Sequence, residues 1–179
     1  MIFRDPVTND AVRIDSEGKI KTDSVIKSQL GHASFNNEDA YILPFTQAGA
    51  AGALDNILYI KNNSDTPLVL SHLWLSGTAA DEVLFYYGMI GTAAGGTAPV
   101  PVNLNTGLAK AADVTCHQFT DITGLSGGTL MFRAYITAAA ISQRIDFDEA
   151  FILQKNVSWT MVVKTAQAQT LSGNLIFFF

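Results

Sequence analysis

Residues 157–164 read Val-Ser-Trp-Thr-Met-Val-Val-Lys. In an extended chain Val157, Trp159, Met161 and Val163 share one face, and Ser158, Thr160 and Lys164 share the other. Period two marks a strand with one buried face. After residue 54 the chain keeps to this mode. Asn56–Lys61, Pro67–Leu75, Glu82–Ile90, Thr129–Ile136, Glu149–Leu153 and Leu171–Phe179 are further strand candidates. Gly, Pro, Asn and Ser clusters such as Asn62-Asn63-Ser64-Asp65 punctuate them. Pro67–Leu75 and Glu82–Ile90 are apolar on both faces, as strands inside a sandwich are. No long segment carries helical periodicity. About seven or eight strands at this length predict an all-β fold, best met by a jelly-roll β-sandwich.

The residues before that domain are built differently. The first 50 hold 12 of the 27 charged residues, although they are little more than a quarter of the 179-residue chain. Ala11-Val12-Arg13-Ile14-Asp15 alternates, Ser16-Glu17-Gly18 offers a turn, and Lys19-Ile20-Lys21-Thr22 alternates again. That is a hairpin pattern, and a lone hairpin is stable only against something else. Residues 39–45 add one more strand with an interrupting proline, Pro44. The tract Gln47-Ala48-Gly49-Ala50-Ala51-Gly52-Ala53 reads as a connector. The expected division is an extended N-terminal arm (1–46), a linker (47–54) and a jelly-roll domain (55–179). Segment 91–116 reads as a long loop, the kind that serves as a lid, a binding loop or an interface element.

Charge is scarce: 15% of residues against 48% hydrophobic, where about 25% charged is usual. A surface so poor in ions faces another protein over part of its area. The balance of 11 Lys+Arg to 16 Asp+Glu, without a basic block, excludes a nucleic-acid binder of the electrostatic type. No apolar run reaches the roughly 18–20 residues of a membrane helix. Met1-Ile2-Phe3-Arg4-Asp5-Pro6 has no secretory leader character, and the single Cys116 allows no internal disulfide. These features lead us to expect synthesis in a reducing cytoplasm.

Catalytic constellations are hard to build from these residues. Gly91-Thr92-Ala93-Ala94-Gly95-Gly96-Thr97 lacks the Gly-Lys-Ser/Thr of a phosphate loop. Cys116 and His117 are adjacent, so on a strand they point to opposite faces and cannot act as nucleophile and base. His32, His72 and His117 show no His-x-His spacing, which disfavours a cupin-like metal enzyme. Asp146-Phe147-Asp148-Glu149 is the densest carboxylate group, but it lacks the glycine and ligand spacing of a calcium loop and reads as a solvated turn. The aromatics Phe85-Tyr86-Tyr87 and Phe177-Phe178-Phe179 read as core and interface rather than as a sugar platform. We therefore expect no catalytic, cofactor or metal residue.

The combination of segments carries a resemblance. The arm, Asp39-Ala40-Tyr41, Leu58-Tyr59-Ile60-Lys61-Asn62, Thr97-Ala98-Pro99-Val100-Pro101-Val102-Asn103-Leu104-Asn105-Thr106-Gly107 and Asp121-Ile122-Thr123-Gly124-Leu125-Ser126-Gly127-Gly128-Thr129 together resemble a group of small virion structural proteins of tailed bacteriophages. The resemblance runs from about residue 11 onward, and its motifs are loop and turn signatures. It implies a jelly roll displayed on the virion, of the capsid decoration (cement) type, often a homotrimer, with the major capsid protein or another virion subunit as partner. A tail, neck or head-fibre component is the alternative, and a cupin-like or carbohydrate-active enzyme a remote one. The residues expected at interfaces are Val12, Arg13, Ile14, Lys19, Ile20 and Lys21 of the arm, with Phe177, Phe178 and Phe179.

Overall fold

The computed structural model describes residues 13–14, 20–21, 30, 33–34, 39–49, 52–105, 107, 110–137, 141–165 and 169–179. Among these the strands are β1 (Arg13–Ile14), β2 (Ile20–Lys21), β3 (Ala40–Ala48), β4 (Asp55–Asn62), β5 (Leu68–Gly77), β6 (Asp81–Tyr87) and β7 (Ile90–Ala94). They continue with β8 (Val102–Asn103), β9 (Val114–Gln118), β10 (Thr123–Ser126), β11 (Thr129–Ile136), β12 (Gln143–Leu153), β13 (Ser158–Val163) and β14 (Thr170–Phe178).

Two antiparallel five-stranded sheets dominate, in the orders β12-β5-β14-β3-β8 and β11-β6-β13-β4-β9. The fold is all-β and sandwich-like. One core joins the sheets: Leu43, Leu73, Leu175 and Phe177 from the first meet Leu58, Phe85, Trp159 and Met161 from the second. Rings cross the gap, with Phe147 at 6.2 Å from Trp159 and Phe151 stacked at 5.7 Å on Phe132. Each large side chain buried here contributes about 1.5–3 kcal/mol.

The alternation of 157–164 survives with one change. Trp159, Met161 and Val163 enter the core, but Ser158, Thr160 and Val162 on the other face are buried as well. The Ser158 hydroxyl donates to the Met89 carbonyl at 2.9 Å, so the chain that follows β6 lies over that face.

Several expected boundaries move. The arm was to end at residue 46, with a linker from 47; β3 instead runs through both as a sheet strand. It pairs with β14 from Ala48↔Thr170 to Ala40↔Phe178, and Tyr41, Leu43 and Phe45 are core residues. Pro44 does not break it. The Thr46 amide points away from β14 to Gln118 Oε1 (3.3 Å), so Pro44, two residues earlier, presents its missing N–H to the same side. Beyond Ile42 that side has no ladder partner among the described residues, where β8 pairs with Tyr41 and Ile42. Segment 82–90 is not one strand, because Gly88 at φ 71° separates β6 from β7. Segment 91–116 is not one loop. It contributes β8 to one sheet edge and β9 to the other. The carboxylate group 146–149 is no turn. It lies within β12 as a bulge, with Asp148 and Glu149 in the left-handed region and Phe147 in the core.

Candidate functional site

Of the residues expected at interfaces, Phe177 and Phe178 are corrected. Phe177 is fully buried and stacks on Tyr41 at 5.5 Å. Phe178 points to the opposite face, where it is buried with Ala33 and Ala40 and flanked by Leu30, Val69 and Leu104. Consecutive residues of a central strand serve two apolar clusters, so neither ring is free for a second subunit. Phe179 is half-buried, edge-on to both Tyr41 and Phe177. Among the arm residues, β1 pairs antiparallel with β2, Arg13 opposite Lys21 and Ile14 opposite Ile20. Val12 and Lys19 lie outside the described residues.

The outer face of the β14 sheet carries a group of charged and aromatic side chains. β12 pairs with β5 so that Asp146 lies opposite His72 and Arg144 opposite Trp74. The Arg144 guanidinium bonds Asp146 Oδ1 at 2.6 Å and sits 5.8 Å from the centre of the Trp74 ring. Ser71 Oγ lies 3.1 Å from His72 Nδ1. Burial, helped by the Arg144 charge, holds the His72 imidazole below its ordinary range, against a smaller opposing pull from Asp146. Leu30, Asp148 and Glu149 complete an open groove of about 330 Å³. Arg144 and Asp146 are half-exposed, so this is an open polar face rather than an enclosed chamber. His72 was expected to be a core or interface histidine; it is a half-buried member of this face. Trp74 and Arg144 escaped notice in the sequence because only the β5–β12 register brings them together.

A second polar cluster sits where β6 begins. The buried Glu82 carboxylate receives Arg133 at 3.0 Å and also pairs with Lys164. The Lys164 hydrogen bond is the leading reason its carboxyl is held below the usual range. Asp81 accepts from Thr165 Oγ1 at 2.6 Å and from Gln169 Nε2 at 2.7 Å. These bonds bind the β13–β14 connection to β6, a structural duty.

Cys116 faces the core, where burial pushes its thiol up to about 12. At neutral pH it carries no thiolate to act as a nucleophile. His117 faces the other way, against the Tyr59 ring at 6.3 Å. In the glycine-rich stretch, a Cβ on Gly96 would come within 2.1 Å of the Gln118 carbonyl, so this glycine permits a close backbone crossing. Among the described residues no three or more His, Cys, Asp or Glu side chains gather as metal ligands, and no helix is long and apolar enough to cross a membrane. Comparison of the chain with protein-family models, with curated proteins and with solved structures finds no match.

Proposed function

We propose that this chain is a non-enzymatic structural subunit of a tailed-bacteriophage virion, a jelly roll of the capsid decoration (cement) type. In this reading it works as a homo-oligomer and attaches to the major capsid protein or another virion subunit. The strand order is the observation that carries it. The eight long strands pair as nested hairpins: β3 with β14, β4 with β13, β5 with β12 and β6 with β11. Rolling that four-pair ribbon brings β14 beside β5 and β13 beside β6. This order supports the jelly-roll reading, a double-sheet winding that capsid proteins use repeatedly. The loop and turn segments quoted above supply the phage resemblance, and the low charge supplies the need for protein contacts.

The arm in this reading comprises residues 1–29. Leu30 and Ala33 already pack on the sandwich beside Phe178, and β3 is part of a sheet. An extended arm adds strand hydrogen bonds and small apolar anchors to a neighbour without needing a deep pocket. Binding to undecorated heads tests it. The protein lacking 1–29 is expected to melt as the full chain does and to lose attachment. The protein lacking 1–46 is expected not to fold, having lost β3. Unchanged attachment without 1–29 overturns the arm. Hundreds of copies per particle support decoration, and a handful per particle indicates the tail, neck or fibre alternative.

A further inference from the structure

Each of the two large sheets has two edges, and the four are treated differently. β8 is two residues long and follows Pro101, so it offers almost no ladder. β9 is covered at Gln118, which exchanges backbone hydrogen bonds with Thr97 in both directions (2.9 and 3.1 Å). β12 is interrupted by the left-handed pair Asp148–Glu149 and carries Arg144 and Asp146 on its outer face. Short length, covering chain, bulges and charges are the usual protections against strand addition. β11 has a bulge between Leu130 and Phe132, but from Phe132 to Ile136 it pairs with β6 without interruption, and among the described residues no further strand pairs with that stretch. The strand runs eight residues, Thr-Leu-Met-Phe-Arg-Ala-Tyr-Ile, and among the described residues its one neighbour in the sheet is β6. Its one charge, Arg133, is held by Glu82. Tyr135 stands on it 69% exposed.

We propose that β11 is a self-association edge, pairing antiparallel with β11 of a second copy about a two-fold axis at Ala134. The sequence of the strand selects this occupant and this register. A two-fold axis normal to the sheet keeps each side chain on its own face, so it must pass through a residue and not between two. Centred on Arg133 it sets two guanidiniums opposite each other, which is unfavourable. Centred on Ala134 it sets Arg133 opposite the partner's Tyr135 on the outer face. It also sets Phe132 opposite the partner's Ile136 on the core face. Each Arg133 then meets an aromatic ring, twice by symmetry, and a guanidinium against a phenol ring is an attractive pair. The strand is self-complementary in this register. The inference rests on the sheet edges and not on the virion reading, and its two-fold contact is distinct from the three-fold assembly that the resemblance implies.

Sedimentation of the full chain across micromolar concentrations tests it. The wild type is expected to form dimers. Tyr135→Lys places an ammonium opposite the partner's Arg133 and is expected to weaken the dimer about tenfold or more. Tyr135→Glu places a carboxylate there and is expected to keep the dimer within about threefold of wild type. Tyr135 is exposed but lies opposite Glu82 on β6, so the diluted, monomeric Tyr135→Lys protein is expected to melt no lower than the wild type, whereas Tyr135→Glu, which sets like charges opposite each other, is expected to melt somewhat lower. A wild type that stays monomeric overturns the proposal. So does a Tyr135→Lys protein that associates as the wild type does. A Tyr135→Glu protein as weak as Tyr135→Lys overturns the register.

Discussion

The two lateral sides of the sandwich are finished in opposite ways. On one side the chain between β6 and β11 adds β8 to one sheet and β9 to the other, so extra backbone wraps the flank. On the other side β11 and β12 are, among the described residues, the last strands of their sheets. There Tyr87, Met131, Phe151 and Ile152 help line an open groove of about 300 Å³. The wrapped flank shields its edges with local chain geometry. On the open flank β12 is interrupted in mid-strand by its bulge, whereas β11 runs regularly from Phe132 to Ile136 with no further described strand beside it.

The largest expected effect tests how open the second flank is. Phe85 is fully buried, stacked 4.3 Å from Phe132 and 5.3 Å from Trp159. Phe85→Ala is expected to cost about 3–5 kcal/mol in urea unfolding. Phe132 is only half-buried at the flank, and Phe132→Ala is expected to cost clearly less. Equal costs for the two would mean that Phe132 is as enclosed as Phe85, and the contrast between the flanks would be lost.

An intermediate effect probes the wrapped flank. Gly96 (φ 70°) crosses against Gln118, whereas Gly88 (φ 71°) has open space where a Cβ would go. Gly88→Ala is expected to cost about 1 kcal/mol, for the backbone conformation alone. Gly96→Ala adds a collision with backbone and is expected to cost about 2 kcal/mol or more. If the two melt alike, the Thr97–Gln118 crossing does not hold the wrap in place.

The smallest effect concerns pH at the open flank. Lys164 and Arg133 hold the Glu82 carboxyl below its ordinary value of 4.5. A depressed folded-state value means the unfolded chain binds the proton more readily. The contribution is therefore complete above about pH 4.5 and is lost as pH falls below that, through the folded-state value. Glu82→Gln is expected to flatten this part of the stability profile. A variant profile that falls as steeply as that of the wild type would assign the acid sensitivity elsewhere.

Strand positions were most legible where one face is buried and the pattern has room to repeat. Thr129–Ile136 coincides with β11, and Val157–Lys164 brackets β13. Legibility failed where tertiary position overrides local chemistry. Pro44 and the Ala/Gly tract after it look like a strand end, yet an edge-facing proline is harmless in β3. Three carboxylates around Phe147 look solvated, yet the one aromatic among them anchors the segment in the core as a bulge. β8 and β9 were hidden because short edge strands carry too few residues for a period. The self-association edge has the weakest signal of all. Tyr135 and Arg133 are unremarkable in the sequence, and edge status is a property of the sheet that no single strand encodes.

The nesting of the ribbon also sets when the molecule becomes a molecule. Ala40 pairs with Phe178, the outermost of a series of hairpins that close from β6–β11 outward. During synthesis at roughly 5–20 residues per second, β3 waits on the order of ten seconds for β14. Until then Tyr41, Leu43 and Phe45 have no sheet neighbour on that side. Topologies dominated by such distant pairings cross their barrier slowly, in milliseconds to seconds. The nascent chain is thus predisposed to post-translational folding and to dependence on chaperones, and slow maturation is a kinetic consequence of the same winding that pairs its first long strand with its last.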